Sequence, residues 1–597
     1  MKENLLISVF FLTLLFKLHA ETVSVTDNGA HGDALHFRVN TASNSPVVTI
    51  LSTNRSSRAD LGKVVVIFGC GASTLSTNNQ DYLGKVVGIP DERHLQLAPM
   101  PRKTQTNASG IYGTDNSGAF QRCVDRAYGS NTVIHVPLGN YLMIPKDLMD
   151  PDYQMKGDTE SRAAVMINKG GITFRGEDAK STILTACGAW QIKGQFVSRG
   201  QLFECRGPIK NDAPLIFENL TMDGGVDQGR QDYRGFPARS SDGSGWDMTH
   251  DAVMDGGASP LHLFKAFRKC IFQHWRGEIL KGVSGATNGF IEVTGCDFHD
   301  GNASAFNFDV AHHIDHCTFE HLDMAMEFYE GRMDRPSLFE NSSVTDVRNN
   351  LVIVGAQKDH EAPLYTIRNN RFLSGTDFGV LIGPAKNLLI ESNTFAGMNW
   401  AIGTGAGYQG TDCNRDIRIE NNRCSNIHFL FLDGAGIPNW VRDVRICGNR
   451  MNGSESFAGG YGYASNVVIA DNDGSQGIDC SRITGEWFKD DLSNRFPPHE
   501  VKNWNGVTNI ISYEYGARQV AIPTKTNSIF LIDDSKPERI PAGAKMEISL
   551  RGSNAVKLYL TSSHAQEPRF ILKPGFPITC SWISGKWIPD FKGSEKN

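Results

Sequence analysis

Asp309, Glu327, Glu330 and Lys281 share one stretch of the chain and carry the side-chain types that breaking a glycosidic bond requires. Hydrolysis takes one carboxylic acid to protonate the leaving oxygen and a second carboxylate as base or nucleophile. Asp309, Glu327 and Glu330 offer these groups, and the Lys281 charge tunes their pKa values. Elimination from a uronic-acid polymer instead needs the substrate carboxylate neutralised and a base for the C5 proton. Lys281 or Arg332 then takes the base role, and the carboxylates hold Ca2+ through oxygen ligands. The same stretch supplies candidate substrate-binding side chains in Trp246, His250, Asp251, His274, Trp275, Glu278, Asn307 and Arg332. The two tryptophan rings suit stacking on sugars and equally suit packing under a loop. His-rich sequence fixes no geometry by itself, and turn positions or internal hydrogen bonds account for the histidines as readily as catalysis does.

Residues this far apart meet only if an element brings them together, and the chain carries a repeat that does so. The unit reads apolar, two residues, Asn, one residue, apolar, at Ile367/Asn370/Phe372, Ile390/Asn393/Phe395, Ile419/Asn422/Cys424 and Ile446/Asn449/Met451. It fades at Ile469/Asn472/Gly474, and upstream Cys270, Cys296, Cys317 and Ser342 take the Asn place. Steps between marked positions run from 21 residues (Cys296 to Cys317) to 29 (Asn393 to Asn422), as expected for stacked coils with loops of variable length. Short runs of Ile, Val and Phe broken by Gly and Asn indicate brief strands. The predicted fold is therefore all-β, a right-handed parallel β-helix over residues 114–500. A column of Asn amides can donate to one coil and accept from the next, so these residues read as structural. The cysteines in the same column read as packed thiols.

In such a helix the outward side chains of successive coils form a surface row. Aligning strands by their closing glycines places Glu278 to Gly282 beside Met326 to Gly331, with Phe306 to Asp309 between. Lys281, Asp309 and Glu330 then become neighbours, and Glu278, Asn307 and Glu327 sit two or three residues earlier. Corresponding strands further on are nearly uncharged, so the charge is confined to about three coils. Single members read as ion-paired surface residues; massed in one groove they point to a site.

Residues 1–20 run from Lys2 through the apolar Leu5 to Phe16 to Ala20, the pattern of a signal peptide, which predicts a secreted or periplasmic protein not held at a membrane after cleavage. The formal charge of −6 over 597 residues gives no general affinity for nucleic acid. Twelve cysteines show neither a compact disulfide framework nor paired zinc spacing. No coiled-coil segment calls for a trimer, and a monomer is expected.

The strings DNGAHGD (Asp27 to Asp33), TDNSGAFQRCVDRA (Thr114 to Ala127) and TVIHVPLGNYL from Thr132 resemble the opening motif of the pectate-lyase-like superfamily, which includes rhamnogalacturonase-like and epimerase-like proteins. The resemblance implies a parallel β-helix and a polysaccharide partner. It assigns no reaction, because that scaffold carries lyases, hydrolases, epimerases and phage tailspikes. No polygalacturonase signature is present, so no catalytic residue follows from it. Here about 80 residues separate the first two strings, and the strand-like runs VVTILSTN and DLGKVVVIFG predict an inserted β subdomain over 34–113 within an N-terminal region of 21–113. Alternation at SIFLID, KMEISL and KLYL predicts a small β domain over 501–597 that covers the last coil. These readings favour a polysaccharide-degrading enzyme, hydrolase ahead of lyase. The competing class is a non-catalytic glycan-binding or adhesive β-helix.

Overall fold

The computed structural model describes residues 21–53, 55–68, 70, 82–127, 131–144, 163–186, 190–192, 195–197, 201–205, 213–225, 251–255, 264–275, 277–281, 289–301, 304–308, 310–329, 335–354, 364–383, 385–404, 414–434, 441–453, 457–474, 478–484, 488–490, 499–502, 508–511, 518–522, 529–532, 544–551, 556–559, 570–573, 577–583 and 586–590. The expected signal peptide and residues Trp246, His250, Asp309, Glu330 and Arg332 lie outside them. Among the described residues no helix is long and apolar enough to cross a membrane. The chain forms two compact units, residues 1–323 and 324–597.

In the first unit, successive coils lay short strands onto three parallel sheets, a parallel β-helix. The first sheet stacks Thr132–Val136, Ile172–Gly176, Leu215–Glu218, Phe264–Arg268 and Phe290–Thr294. The second stacks Gly139–Met143, Thr182–Ala186, Thr221–Asp223, Ile271–Gln273 and Asp297–His299. The third stacks Val165–Ile167, Phe203–Cys205, Val253–Asp255, Leu280–Lys281 and Ser304–Phe308. Inward residues of one row pile on one another: Phe174, Phe217 and Phe267 stack with centroids 5.1 and 5.4 Å apart. Such columns bury large rings against identical neighbours, which fixes the register of each added coil. The amphipathic helix Ser117–Arg126 buries Ala119, Phe120, Cys123 and Val124, with Phe120 edge-on to Tyr141 of the first coil.

The inserted subdomain is a closed six-stranded antiparallel barrel made of Leu35–Thr41, Val47–Ile50, Val64–Ile67, Tyr82–Asp91, His94–Ala98 and Gln105–Gly113. Closure removes the strand edges that a free sheet would expose. Its two ends are stitched together where the opening motif is interrupted. Asp33 accepts from the Thr114 backbone N–H and hydroxyl, both at 2.9 Å, and Asn116 exchanges hydrogen bonds with the His31 backbone. The two strings, distant in sequence, thus rejoin as one motif. An apolar cluster of Ala34, Val64, Val66, Phe68 and Ile111 packs with Leu142 and Ile144 of the β-helix and docks the barrel.

In the second unit, Phe339, Ile367, Ile390, Ile419, Ile446 and Ile469 are successive partners in one ladder, buried throughout, as the sequence period requires. Asn370, Asn393, Asn422, Asn449 and Asn472 form the adjacent buried column. Each follows a left-handed residue at 369, 392, 421, 448 or 471, so the coil turns sharply there and leaves backbone groups that need partners. The Asn422 Nδ2 donates to Ile390 O at 2.9 Å and to Asn449 Oδ1 at 3.0 Å. Its Oδ1 accepts from Asn393 N at 2.9 Å. Near the C-terminus the chain alternates between two small sheets. His499–Lys502, Arg518–Ile522 and Lys545–Leu550 are parallel in one, and Thr508–Ile511, Ile529–Ile532 and Val556–Tyr559 in the other. Antiparallel strands, including Lys586–Asp590, finish both sheets.

Candidate functional site

The third sheet of the first unit gathers a carboxylate cluster. Its ladder pairs Phe203 with Val253, Leu280 and Phe306, of which Phe203, Leu280 and Phe306 are fully buried, so the next residue of each strand points outward. That outward row holds Glu204, Lys281 and Asn307. Three residues earlier on their coils come Gln201, Asp251 and Glu278. Glu278 accepts from Lys281 Nζ at 2.5 Å and from Asn307 Nδ2 at 2.6 Å, the partner set of a carboxylate. Asp251 faces Gln201 Nε2 at 3.5 Å. Burial pushes the Asp251 carboxyl well above its ordinary range; the Lys281 charge opposes this, and the charges of Glu278 and Glu204 reinforce it. The cluster therefore sets a carboxyl raised by burial beside the Lys281–Glu278 ion pair, with Lys281 its partly exposed member.

This arrangement brings together Asp251, Glu278, Lys281 and Asn307 and adds Glu204 and Gln201, which sequence reading passed over. The signal for Glu204 was its place in Phe203–Cys205, a strand whose coil partner, Val253–Asp255, follows a long insertion. The alignment by closing glycines is shifted by two residues from the observed register, in which Lys281 stands opposite Asn307 and not Asp309. Glycines mark where strands end, whereas stacked inward side chains such as Leu280 and Phe306 set the pairing. Glu327 is buried on Met324–Tyr329 of the second unit.

Two expected binding residues belong elsewhere. Trp275 is 0% exposed and donates its indole N–H to Met222 O at 3.0 Å, so its ring packs in the core and cannot stack on a sugar. His274 occupies a left-handed turn after the second sheet, as do Asp300 and His321 on the following coils. Its Nδ1 lies 3.0 and 3.1 Å from the two carboxylate oxygens of Asp223. Asp223 also accepts from Gly225 N and Gln273 Nε2, both at 2.7 Å. Burial alone would raise Asp223, but the His274 hydrogen bond and charge outweigh it and hold the carboxyl below its ordinary value. Burial likewise disfavours the His274 cation, and Asp223 outweighs that and raises it. The two shifts agree on a buried ion pair. This pair lines a cavity of about 390 Å³ against the inserted barrel.

No family model matches the chain, and no curated protein matches it. Solved structures with a similar fold include the A-module of a mannuronan C-5 epimerase from Azotobacter vinelandii, 12% identical over 65% of this chain and 94% of that one, with a TM-score of 0.36. The tailspike protein of E. coli bacteriophage HK620 in complex with pentasaccharide is 10% identical over 81% and 89%, with a TM-score of 0.40. The catalytic unit of a GH87 α-1,3-glucanase from Streptomyces thermodiastaticus is 10% identical over 89% and 88%, with a TM-score of 0.31. At such distances the parallel β-helix assignment rests on the strand ladders of the chain itself.

Proposed function

We propose that this chain is a carbohydrate-active β-helix that hydrolyses a polysaccharide at the third sheet of its first unit. The observation that carries the reading is the closeness of Asp251, whose carboxyl burial pushes well above its ordinary range, to Glu278, which accepts from Lys281 and Asn307. Asp251 protonates the glycosidic oxygen, and Glu278 activates water or attacks the sugar carbon. Engagement of Lys281 by Glu278 favours hydrolysis over elimination, because a lysine held as a cation by an ion pair is a poor base for a C5 proton.

The test incubates the full chain with neutral and uronic-acid polysaccharides, reading reducing ends and the absorbance of unsaturated products. Reducing ends without unsaturation are expected. Asp251→Asn and Glu278→Gln should each lower turnover by roughly 10²–10⁴-fold with the fold retained. The amides of Asp309 and Glu330 belong in the same series as the alternative acid pair. Unsaturated products would make the chain a lyase. Binding without either product would make it an adhesive β-helix, and full activity in the Asp251 and Glu278 variants would move the site elsewhere.

A further inference from the structure

The cavity against the barrel is built differently from the carboxylate cluster and stands apart from the reaction proposed for it. On the barrel side, Arg38 and Ser109 are directly opposed in the antiparallel pair of Leu35–Thr41 with Gln105–Gly113, and His36 lies two residues from Arg38 on the same face. Ser52 and Phe68 complete that wall, and Phe68 belongs to the apolar contact that docks the barrel. The opposite wall is the Asp223–His274 pair with Gly225. Gly225 has φ +65, which turns its N–H onto Asp223.

The bonding capacity left in this cavity is unequal. Both oxygens of Asp223 are already engaged by Gly225, His274 and Gln273, so the carboxylate is matched within the protein. The buried hydroxyls of Ser52 and Ser109 have no hydrogen-bond partner among the described residues. A buried hydroxyl left unmatched is unfavourable, so two on one cavity mark a place where a polar ligand belongs. Arg38 lines the same space, with its Nη1 donating to Asn107 O at 3.3 Å and its other guanidinium N–H groups left for a ligand, and Phe68 gives an apolar wall. A volume of about 390 Å³ falls at the small end of ligand pockets and suits one or two sugar rings.

From the unmatched Ser52 and Ser109 hydroxyls, the Arg38 guanidinium and the cavity they share, we infer that the barrel junction binds a sugar-sized anion, a hydroxylated ring bearing a carboxylate or a phosphate. Arg38 takes the acidic group, the serines take ring hydroxyls, and Phe68 meets a C–H face.

Calorimetric titration of the full chain with glucuronate, glucose 6-phosphate and glucose tests this. One of the two anions should bind saturably and glucose at least ten-fold more weakly; which anion wins tells a carboxylated ligand from a phosphorylated one. Arg38→Gln should weaken the anion about ten-fold or more, since it removes a charge-assisted hydrogen bond. Ser52→Ala and Ser109→Ala should each weaken it about three- to ten-fold. Thermal unfolding separates binding from structure: hydroxyls without partners have no bond to lose, so the serine variants should unfold at or above the parent temperature. Asp251→Asn should bind the anion as the parent does, which keeps this site distinguishable from cleavage at the third sheet. Glucose binding as tightly as the anions, binding of neither anion, or unchanged affinity in both Arg38→Gln and the double serine variant would overturn the inference.

Discussion

The interior Asn column of the second unit and the outward carboxylate cluster of the first both bury polar groups, and they resolve that burden in opposite ways. In the column every coil supplies the same side chain at the same turn, so the donor of one amide meets the acceptor of the next, as Asn370, Asn393, Asn422, Asn449 and Asn472 do in sequence. Repetition satisfies each member without charge. In the cluster successive coils supply Glu204, Asp251, Glu278 and Asn307, which have no common rule; burial displaces the Asp251 carboxyl from its ordinary range and Lys281 pairs with Glu278. Buried polar repetition therefore serves the fold, while its interruption by unlike charges creates groups poised for chemistry.

The largest effect should come from breaking the column. Replacing Asn422 by Leu removes the acceptor for Asn393 N and the donor to Ile390 O, leaving two buried backbone groups unmatched at about 1–3 kcal/mol each. Urea unfolding followed by circular dichroism should show a loss of about 2–6 kcal/mol. A loss under 1 kcal/mol would mean that the column is decorative.

The cysteine part of the first unit sharpens the same point. Cys296 Sγ accepts from Cys270 N at 3.4 Å and donates to Phe267 O at 3.4 Å, the connections of the Asn column made with a weaker group. Cys296→Ala should cost less than Asn422→Leu, about 1–2 kcal/mol by the same unfolding measurement. Cys296→Asn should recover stability relative to Cys296→Ala. Equal costs for Cys296→Ala and Asn422→Leu would erase the distinction between thiol and amide.

The smallest effect is a pH dependence on the carboxylate side. Asp251 has its folded pKa raised, so its contribution is full below its ordinary value of 3.8 and is lost as the pH rises through the folded value. Asp251→Asn copies the protonated form and does not titrate. The variant should gain stability relative to the parent as pH rises from acid to neutral, with the two converging in acid. A constant difference across that range would show that Asp251 ionises as an ordinary surface carboxyl.

Much of this architecture was legible in the chain. Ile367, Ile390, Ile419 and Ile446 share one row because their spacing to the following Asn is constant while loop length varies elsewhere. The barrel was legible as an interruption, since two halves of one opening motif cannot be far apart once folded. The candidate site was legible only in part. Glu278, Lys281, Asn307 and Asp251 came from the right stretch, but their partners were misplaced, and Trp275, a candidate for sugar stacking or for packing under a loop, packs in the core. Aromatic and charged residue types do not say which way a turn directs them.

The sequence by itself determined which residues must stack, because a coil that repeats can bury a polar turn only if every coil answers it in kind. Only the tertiary structure decided which outward residues meet. Register across coils is set by inward packing of rows such as Phe203, Leu280 and Phe306, and an error of two residues exchanges Asn307 for Asp309 beside Lys281. Tertiary structure also decided that the inserted barrel brings Arg38 and Ser109 to the cavity lined by Asp223 and His274. Docking of the barrel rests on apolar contacts of Phe68 and Ile111 with Leu142 and Ile144, a non-directional attraction that leaves no periodic mark in the chain.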